Sequence, residues 1–318
     1  MKRFSRKTGI VVDAIYREHE PGHGHPESPY RYDAVLKVLS PLIKKEEVQI
    51  IKPRAAREEE ILYCHTREYV EVVKKDIASD VMCLSTGDTD ICPRSYEVAL
   101  FAVGGVICAV DAVMSGKVKN AFCAVRPPGH HATADRGMGF CIFNNVAIAA
   151  RHAQKKHGIE KILIVDWDVH HGNGTQEIFY EDPSVFYFSI HQWPCYPGTG
   201  RAGERGSGEG KGTTLNCPFS PGTGGGEIID AFNQSLLPAM RLFKPQMIFI
   251  SAGFDGRIGD PIGNFVLTDD DFAELTRIVV NIANEYAEGR VISVLEGGYA
   301  LDGLASAVFA HVEALISQ

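Results

Sequence analysis

Short runs of consecutive apolar residues alternate along this chain with longer segments whose apolar positions recur at helical spacing. The short runs, at 9–12, 48–51, 121–125, 161–165, 185–190, 247–251 and 290–295, are rich in Val, Ile, Leu and Phe and predict strands. The longer segments at 95–114, 144–157, 227–242, 269–287 and 301–316 predict helices. Strands without polar alternation are buried on both faces, and helices between them supply parallel crossovers. The expected fold is therefore α/β: three layers, with a mostly parallel central sheet and helices on both faces. No repeat, low-complexity tract or Pro/Ser-rich linker divides the 318 residues, so one domain over 1–318 is expected.

In such sheets ligands bind beyond the carboxyl ends of the strands. The segments there are RPPGHHATADRGMGFCIFNN, DWDVHHGNG, HQWPCYPGTG, AGFDGRIGDP and EGGYALDG, and five of the twelve histidines fall in the first three. Asp166, Asp168 and His170 alternate, so an extended chain aims all three at one crevice. Asp168 and His170, with Asp255 from a neighbouring strand end, suit Zn²⁺, Fe²⁺ or Mn²⁺ and leave an open position, as in a catalytic metal site.

His130 and His131 follow a stiff Pro127-Pro128-Gly129 turn and offer imidazoles for proton transfer near neutral pH. Each needs a partner on its other nitrogen, and Asp166 and Asn173 are the candidates, one charged and one neutral. Tyr299 ends a Glu296-Gly297-Gly298 turn, where its phenol can donate to a carbonyl oxygen as charge develops. Phe140 after Gly139, and Tyr196 before Pro197, offer aromatic walls for a narrow tunnel. The glycine run 206–212 lacks the lysine–hydroxyl ending of a phosphate loop.

Composition narrows the setting. Lys and Arg total 32 against 40 Asp and Glu, a formal charge of −8, which lacks the broad basic field of a duplex-DNA binder and mildly favours a cationic substrate. No nucleic-acid partner is expected. The eight cysteines are scattered without a CxxC pair and read as reduced thiols of a cytoplasmic protein. The basic stretch 1–20 has too short an apolar core for a signal peptide. The longest apolar run, 98–110, has 13 residues, short of a membrane span.

Taken together, HPESPYR (25–31), RPPGHHA (126–132), GFCIFNN (139–145), DWDVHHGNGTQ (166–176), SIH…PGTG (189–200), SAGFD…GDP (251–261) and LEGGY (295–299) resemble the zinc-dependent histone deacetylase family, within the arginase–deacetylase fold. Asn173, where Asp is the alternative, resembles the class II branch and its bacterial relatives, the histone deacetylase-like amidohydrolases. The resemblance implies one Zn²⁺ on Asp168, His170 and Asp255. It implies His131 as general base and acid, with His130 as electrostatic neighbour partnered by Asp166, and Tyr299 polarising the scissile carbonyl. Gly139, Phe140 and Tyr196 would line an acyl-lysine tunnel. A structural K⁺ would use Asp166, Ser189 and backbone carbonyls of Asp168, His170 and Ile190, with a second monovalent site near Phe179, Asp182 and Val185. Relatives grip the substrate backbone from the loop holding Asp88 and Asp90, where no residue is assigned.

The implied substrate is an acylated lysine in a protein or peptide, with a homo-oligomer left open. Ile262, after Asp260-Pro261, stands where family members selective for acetylpolyamines carry glutamate, which favours acyl-lysine. The alternatives are a deacetylase of small acetylated amines, such as acetylpolyamines or the acetoin-utilisation type, and an inactive acyl-lysine binding module. An arginase-like two-metal hydrolase needs further carboxylates where this chain has Gly172 and Arg257.

Overall fold

The structure is a computed structural model that describes residues 7–79 and 81–317. The first six residues of the basic stretch read above lie outside the described residues.

Among the described residues eight strands form one sheet: β1 (Thr8–Val11), β2 (Val48–Ile51), β3 (Ala121–Cys123), β4 (Ile162–Asp166), β5 (Val185–Gln192), β6 (Thr214–Phe219), β7 (Met247–Ala252) and β8 (Val291–Leu295). Their order is β2-β1-β3-β8-β7-β4-β5-β6, and every pairing is parallel. All five residues of β4 and all six of β7 are buried, as their apolar runs at 162–165 and 247–250 require.

The helices are α1 (Pro29–Lys44), α2 (Glu58–Ile61), α3 (Arg67–Ala78), α4 (Ser95–Met114), α5 (Asn145–His157), α6 (Asn173–Phe179), α7 (Gly225–Ala231), α8 (Leu237–Phe243), α9 (Asp269–Tyr286) and α10 (Leu301–Ile316). One group packs α10 against α1 and α9, and another packs α4 against α5. A π-helical segment, Phe232–Leu236, joins α7 to α8 without a break, so the helix expected at 227–242 is one helical run with a widened middle. By length and composition α4 could cross a bilayer, but 67% of its apolar window is buried inside the fold, where it serves as a core helix.

Local signals explain the ends. Thr268 accepts the Asp271 amide at 3.3 Å while Asp271 reaches back to the Thr268 amide at 2.7 Å, a reciprocal cap at the start of α9. The Asn144 side chain caps α5, accepting from Ala147 N at 3.0 Å, and Gly158 ends it at φ 67°. Register then sets the site. Asp166, the last residue of β4, pairs with Ser189 on β5 and Ser251 on β7, so the segments leaving these strands emerge side by side.

Candidate active site

Beyond β4 the chain carries Asp168 and His170, and beyond β7 it carries Asp255. His170 Nδ1 lies 3.1 Å from Asp168 Oδ1 and 3.2 Å from Asp255 Oδ2. All three residues are buried, with their donor atoms within 4.8 Å of one another. Backbone amides set the carboxylates: Gly297 N donates to Asp168 Oδ2 at 2.8 Å, and Val169 N to Asp255 Oδ1 at 3.0 Å. Asp255 Oδ2 is buried and accepts no hydrogen bond.

The glycines around this cluster are steric necessities. A Cβ on Gly297 would stand 2.1 Å from Asp255 Oδ2, and one on Gly253 2.1 Å from Asp168 Oδ2. Burial, then the neighbouring charge of Asp168, pushes the Asp255 carboxyl up to about 7. A divalent cation relieves that repulsion and satisfies the orphaned oxygen, so these residues fit a metal.

His130 and His131 lie 4.0 Å apart between ring centres, tilted by 43°, on the turn after Pro128. Buried Glu296 holds this turn: its Oε2 accepts from Gly129 N at 2.7 Å and His130 N at 3.2 Å, and its Oε1 accepts from the Ser251 hydroxyl at 3.0 Å. The structure assigns the partners left open by sequence. His130 Nδ1 lies 3.1 Å from Asp166 Oδ2, and His131 Nδ1 lies 2.8 Å from Asn173 Oδ1.

The consequence is electrostatic. Burial alone would lower His130, but Asp166 and Asp168 overcome it and raise the imidazole to about 10. Burial lowers His131 well below its usual range, reinforced by the charges of His130 and His170. Burial also raises the Asp166 carboxyl against the pull of His130. Asp166 accepts a further hydrogen bond from Tyr187 Oη at 3.0 Å and one from Asp168 N at 3.2 Å, so the shared proton belongs on His130. A cationic and a neutral imidazole thus stand side by side, and the neutral one has its Nε2 free for proton transfer.

The cluster opens into a cavity of about 260 Å³ lined by Asp88, His131, Gly139, Phe140, His170, Tyr196, Ile262 and Tyr299. Gly139 (φ 56°) and Phe140 (φ 66°) are both left-handed, and a Cβ on Gly139 would stand 2.3 Å from the His131 ring. A bulky residue held at positive φ costs strain, which here turns the Phe140 ring to within 5.9 Å of the Tyr299 ring. Tyr196 packs edge-on to His131 at 5.1 Å.

Several residues of the site were given no role by the sequence. Asp88 accepts from Gly139 N at 2.8 Å and from Tyr196 Oη at 3.3 Å, tying two walls to the rim. Asp260 accepts four amides: Tyr299 N at 2.7 Å, Ala300 N at 3.1 Å, Ile262 N at 3.0 Å and Gly263 N at 3.3 Å. The Arg31 guanidinium lies 4.9 Å from the centre of the Tyr299 ring and donates to Gly298 O at 2.6 Å. Asx-type turns in GDTD and IGDP were the available signal for the two aspartates.

Ser189 and Ile190 lie on β5 beside Asp166, and the Ser189 hydroxyl is 2.9 Å from His191 Nδ1. At the second expected cation position the Asp182 carboxylate is already paired with Arg151 at 2.5 Å, whose guanidinium lies 4.6 Å from the centre of the Phe179 ring. A Cβ on Gly172 would stand 2.1 Å from Asp166 Oδ2, and Arg257 is paired with Asp269 at 2.8 Å. Those two positions therefore supply no carboxylates for a bridged metal pair.

A three-layer parallel sheet with this site at its carboxyl edge defines a class, the metal-dependent amidohydrolases of the arginase–deacetylase fold. The family model for the histone deacetylase domain matches residues 25–315, and the chain belongs to that family. It is 42% identical over 298 residues to a probable deacetylase of Archaeoglobus fulgidus, covering 93% of this chain and 82% of that one. It is 40% identical to a histone deacetylase-like amidohydrolase of Pseudomonas aeruginosa, covering 87% and 73%. It is 41% identical to a human polyamine deacetylase, covering 91% of this chain but 44% of that protein. The crystal structure of the HDA15 HD domain superposes with a TM-score of 0.92 at 36% identity, over 98% of this chain and 89% of that one. The protein is a deacetylase of a metal-dependent family, and its candidate metal site is Asp168, His170 and Asp255.

Proposed function

We propose that residues 1–318 form one catalytic domain that hydrolyses the side-chain amide of acylated lysine, with one zinc ion on Asp168, His170 and Asp255. The observation that carries this reading is that His170 of that donor set, His131 and Tyr299 converge on one cavity with aromatic walls. When bound, zinc supplies Lewis-acid activation of water and of the amide carbonyl. His131, its Nδ1 held by Asn173, takes a proton from the attacking water at Nε2 and returns it to the leaving amine. His130, kept cationic by Asp166, adds positive potential without giving up its proton. Tyr299 donates its phenolic proton in a hydrogen bond to the carbonyl oxygen as negative charge develops. Gly139, Phe140 and Tyr196 exclude water along the lysine stem, and Asp88 on the rim accepts from the substrate backbone.

A structural potassium ion completes the site on Asp166, Ser189 and the carbonyls of Asp168, His170 and Ile190. The protein works in the cytoplasm. Ile262 offers the cavity mouth an apolar contact and no charge, which favours acyl-lysine over acetylated polyamines. The net charge of −8 and the polyamine deacetylase relative support the second reading, a small acetylated amine. A turnover panel of acyl-lysine peptides, N-acetylspermidine and N-acetylputrescine, with metal content measured on the same sample, separates the two. Peptide turnover with polyamines inert or weak is expected. Efficient polyamine turnover with inert peptides overturns the preference.

A further inference from the structure

Among the described residues, one other group brings three metal-ligating atoms within 4.8 Å of one another: Asp111, His152 and His157. Asp111 lies in the last turns of α4, and the two histidines lie on α5. His152 Nε2 is 2.8 Å and His157 Nε2 2.7 Å from the same oxygen, Asp111 Oδ1, and the two rings meet edge-on at 5.7 Å. These separations are close to the 3.1 and 3.2 Å that join His170 to Asp168 and Asp255 in the candidate metal site. We propose that Asp111, His152 and His157 bind a second divalent ion of the zinc class, remote from the active site.

The chemistry of the set selects the ion. Two imidazoles and one carboxylate suit Zn²⁺, whereas Mg²⁺ prefers oxygen donors and retains its waters. The donors are preorganised. His152 is 5% exposed and fixed by packing, while His157 at 25% and Asp111 at 48% leave a side open for the ion to enter and keep water. The nearby guanidinium of Arg54 is committed to Glu60, with bonds of 2.6 and 2.7 Å, so Asp111 remains available. Lys155 is drawn to the Tyr63 ring, 4.9 Å away.

The position gives the ion a structural role. The other end of α5 supports the catalytic turn, where Asn145 Nδ2 donates to Pro127 O at 3.0 Å and Asn144 Nδ2 to Ala132 O at 3.1 Å. The helix runs about 18 Å between these ends. An ion joining its last turns to α4 therefore anchors the helix that backs His130 and His131.

The test is zinc titration by calorimetry of the enzyme dialysed to one equivalent of zinc, with a Mg²⁺ control. A second equivalent of Zn²⁺ should bind with a dissociation constant below about 100 µM, a useful affinity threshold, and should raise the thermal midpoint. His157→Ala and Asp111→Asn should each weaken that binding at least tenfold while leaving deacetylase turnover unchanged at low free zinc. Asp168→Ala should keep it, which separates this site from the active site. No second equivalent in the unmodified protein, or a second equivalent that survives both His157→Ala and Asp111→Asn, overturns the proposal.

Discussion

Asp260→Ala removes a carboxylate that does not line the cavity but joins two loops of the site. Its Oδ2 accepts Tyr299 N and Ala300 N at 2.7 and 3.1 Å, and its Oδ1 accepts Ile262 N and Gly263 N at 3.0 and 3.3 Å. Hydrogen bonds to a charged group contribute about 1.5–3 kcal/mol each, but this residue is half-buried and water replaces much of the loss. Stability should therefore fall by about 1–3 kcal/mol, well short of unfolding. Catalysis suffers through Tyr299. An oxyanion donor is typically worth about 10²–10³ in kcat, and that sets the ceiling for a residue acting only by aiming it. Loosening the loop should lower kcat by roughly 10–100-fold with a smaller change in KM. Asp260→Asn, which keeps one acceptor oxygen, should fall in between. The assay is steady-state turnover of an acetyl-lysine peptide in single and double variants. In the Tyr299→Phe background, Asp260→Ala should cost less than about threefold, because two residues acting as a unit are not additive. An undiminished loss in that background, or a wild-type kcat in the single variant, would refute the positioning role.

Other outcomes follow from the same geometry. His131→Ala should lower kcat by about 10²–10⁴ with substrate still bound, measured by single-turnover kinetics and inhibitor binding. Ile262→Glu should shift the kcat/KM ratio toward N-acetylspermidine by roughly tenfold, the effect of a new ion pair worth about 1.4 kcal/mol. Glu27 is buried against Arg126 at 2.5 Å and Arg31 at 2.9 Å. Burial would raise its carboxyl, but the guanidiniums lower it from 4.5 to about 2, so its contribution to stability is present above pH 4.5 and lost as pH falls toward 2. Glu27→Gln should flatten the acid side of a melting-temperature profile over that window, and should cost about 3–5 kcal/mol at neutral pH by stranding the arginines.

The parallel sheet was legible because its strands are apolar on both faces, and the candidate metal-binding residues because they sit immediately after those strands. β6 escaped because Asn216 and Pro218 interrupt its pattern, and proline is tolerated there only because the strand is at the sheet edge. α1 escaped because Pro41 sits inside it and charged or hydroxyl residues fill its exposed face. The histidine partners were legible as a pair of candidates, Asp166 and Asn173, but spacing alone did not say which serves which, because they stand 36 and 42 residues from His130 and His131. Asp88, Asp260 and Glu296 were named in their loops but given no role, for a related reason. Each acts by accepting backbone amides from distant loops, and an amide donor leaves no mark on residue identity.

Asp255 is the ligand whose sequence context alone reads equally well as a turn former, so metal content and turnover measured together on Asp255→Ala test the metal assignment most directly. The unmodified protein should carry zinc in the active site, lose turnover on chelation and regain it with Zn²⁺. Asp255→Ala should lose both turnover and active-site zinc while keeping its fold, because removing one of three ligands leaves a weakly held ion. A variant with full active-site zinc and undiminished turnover would contradict the assignment.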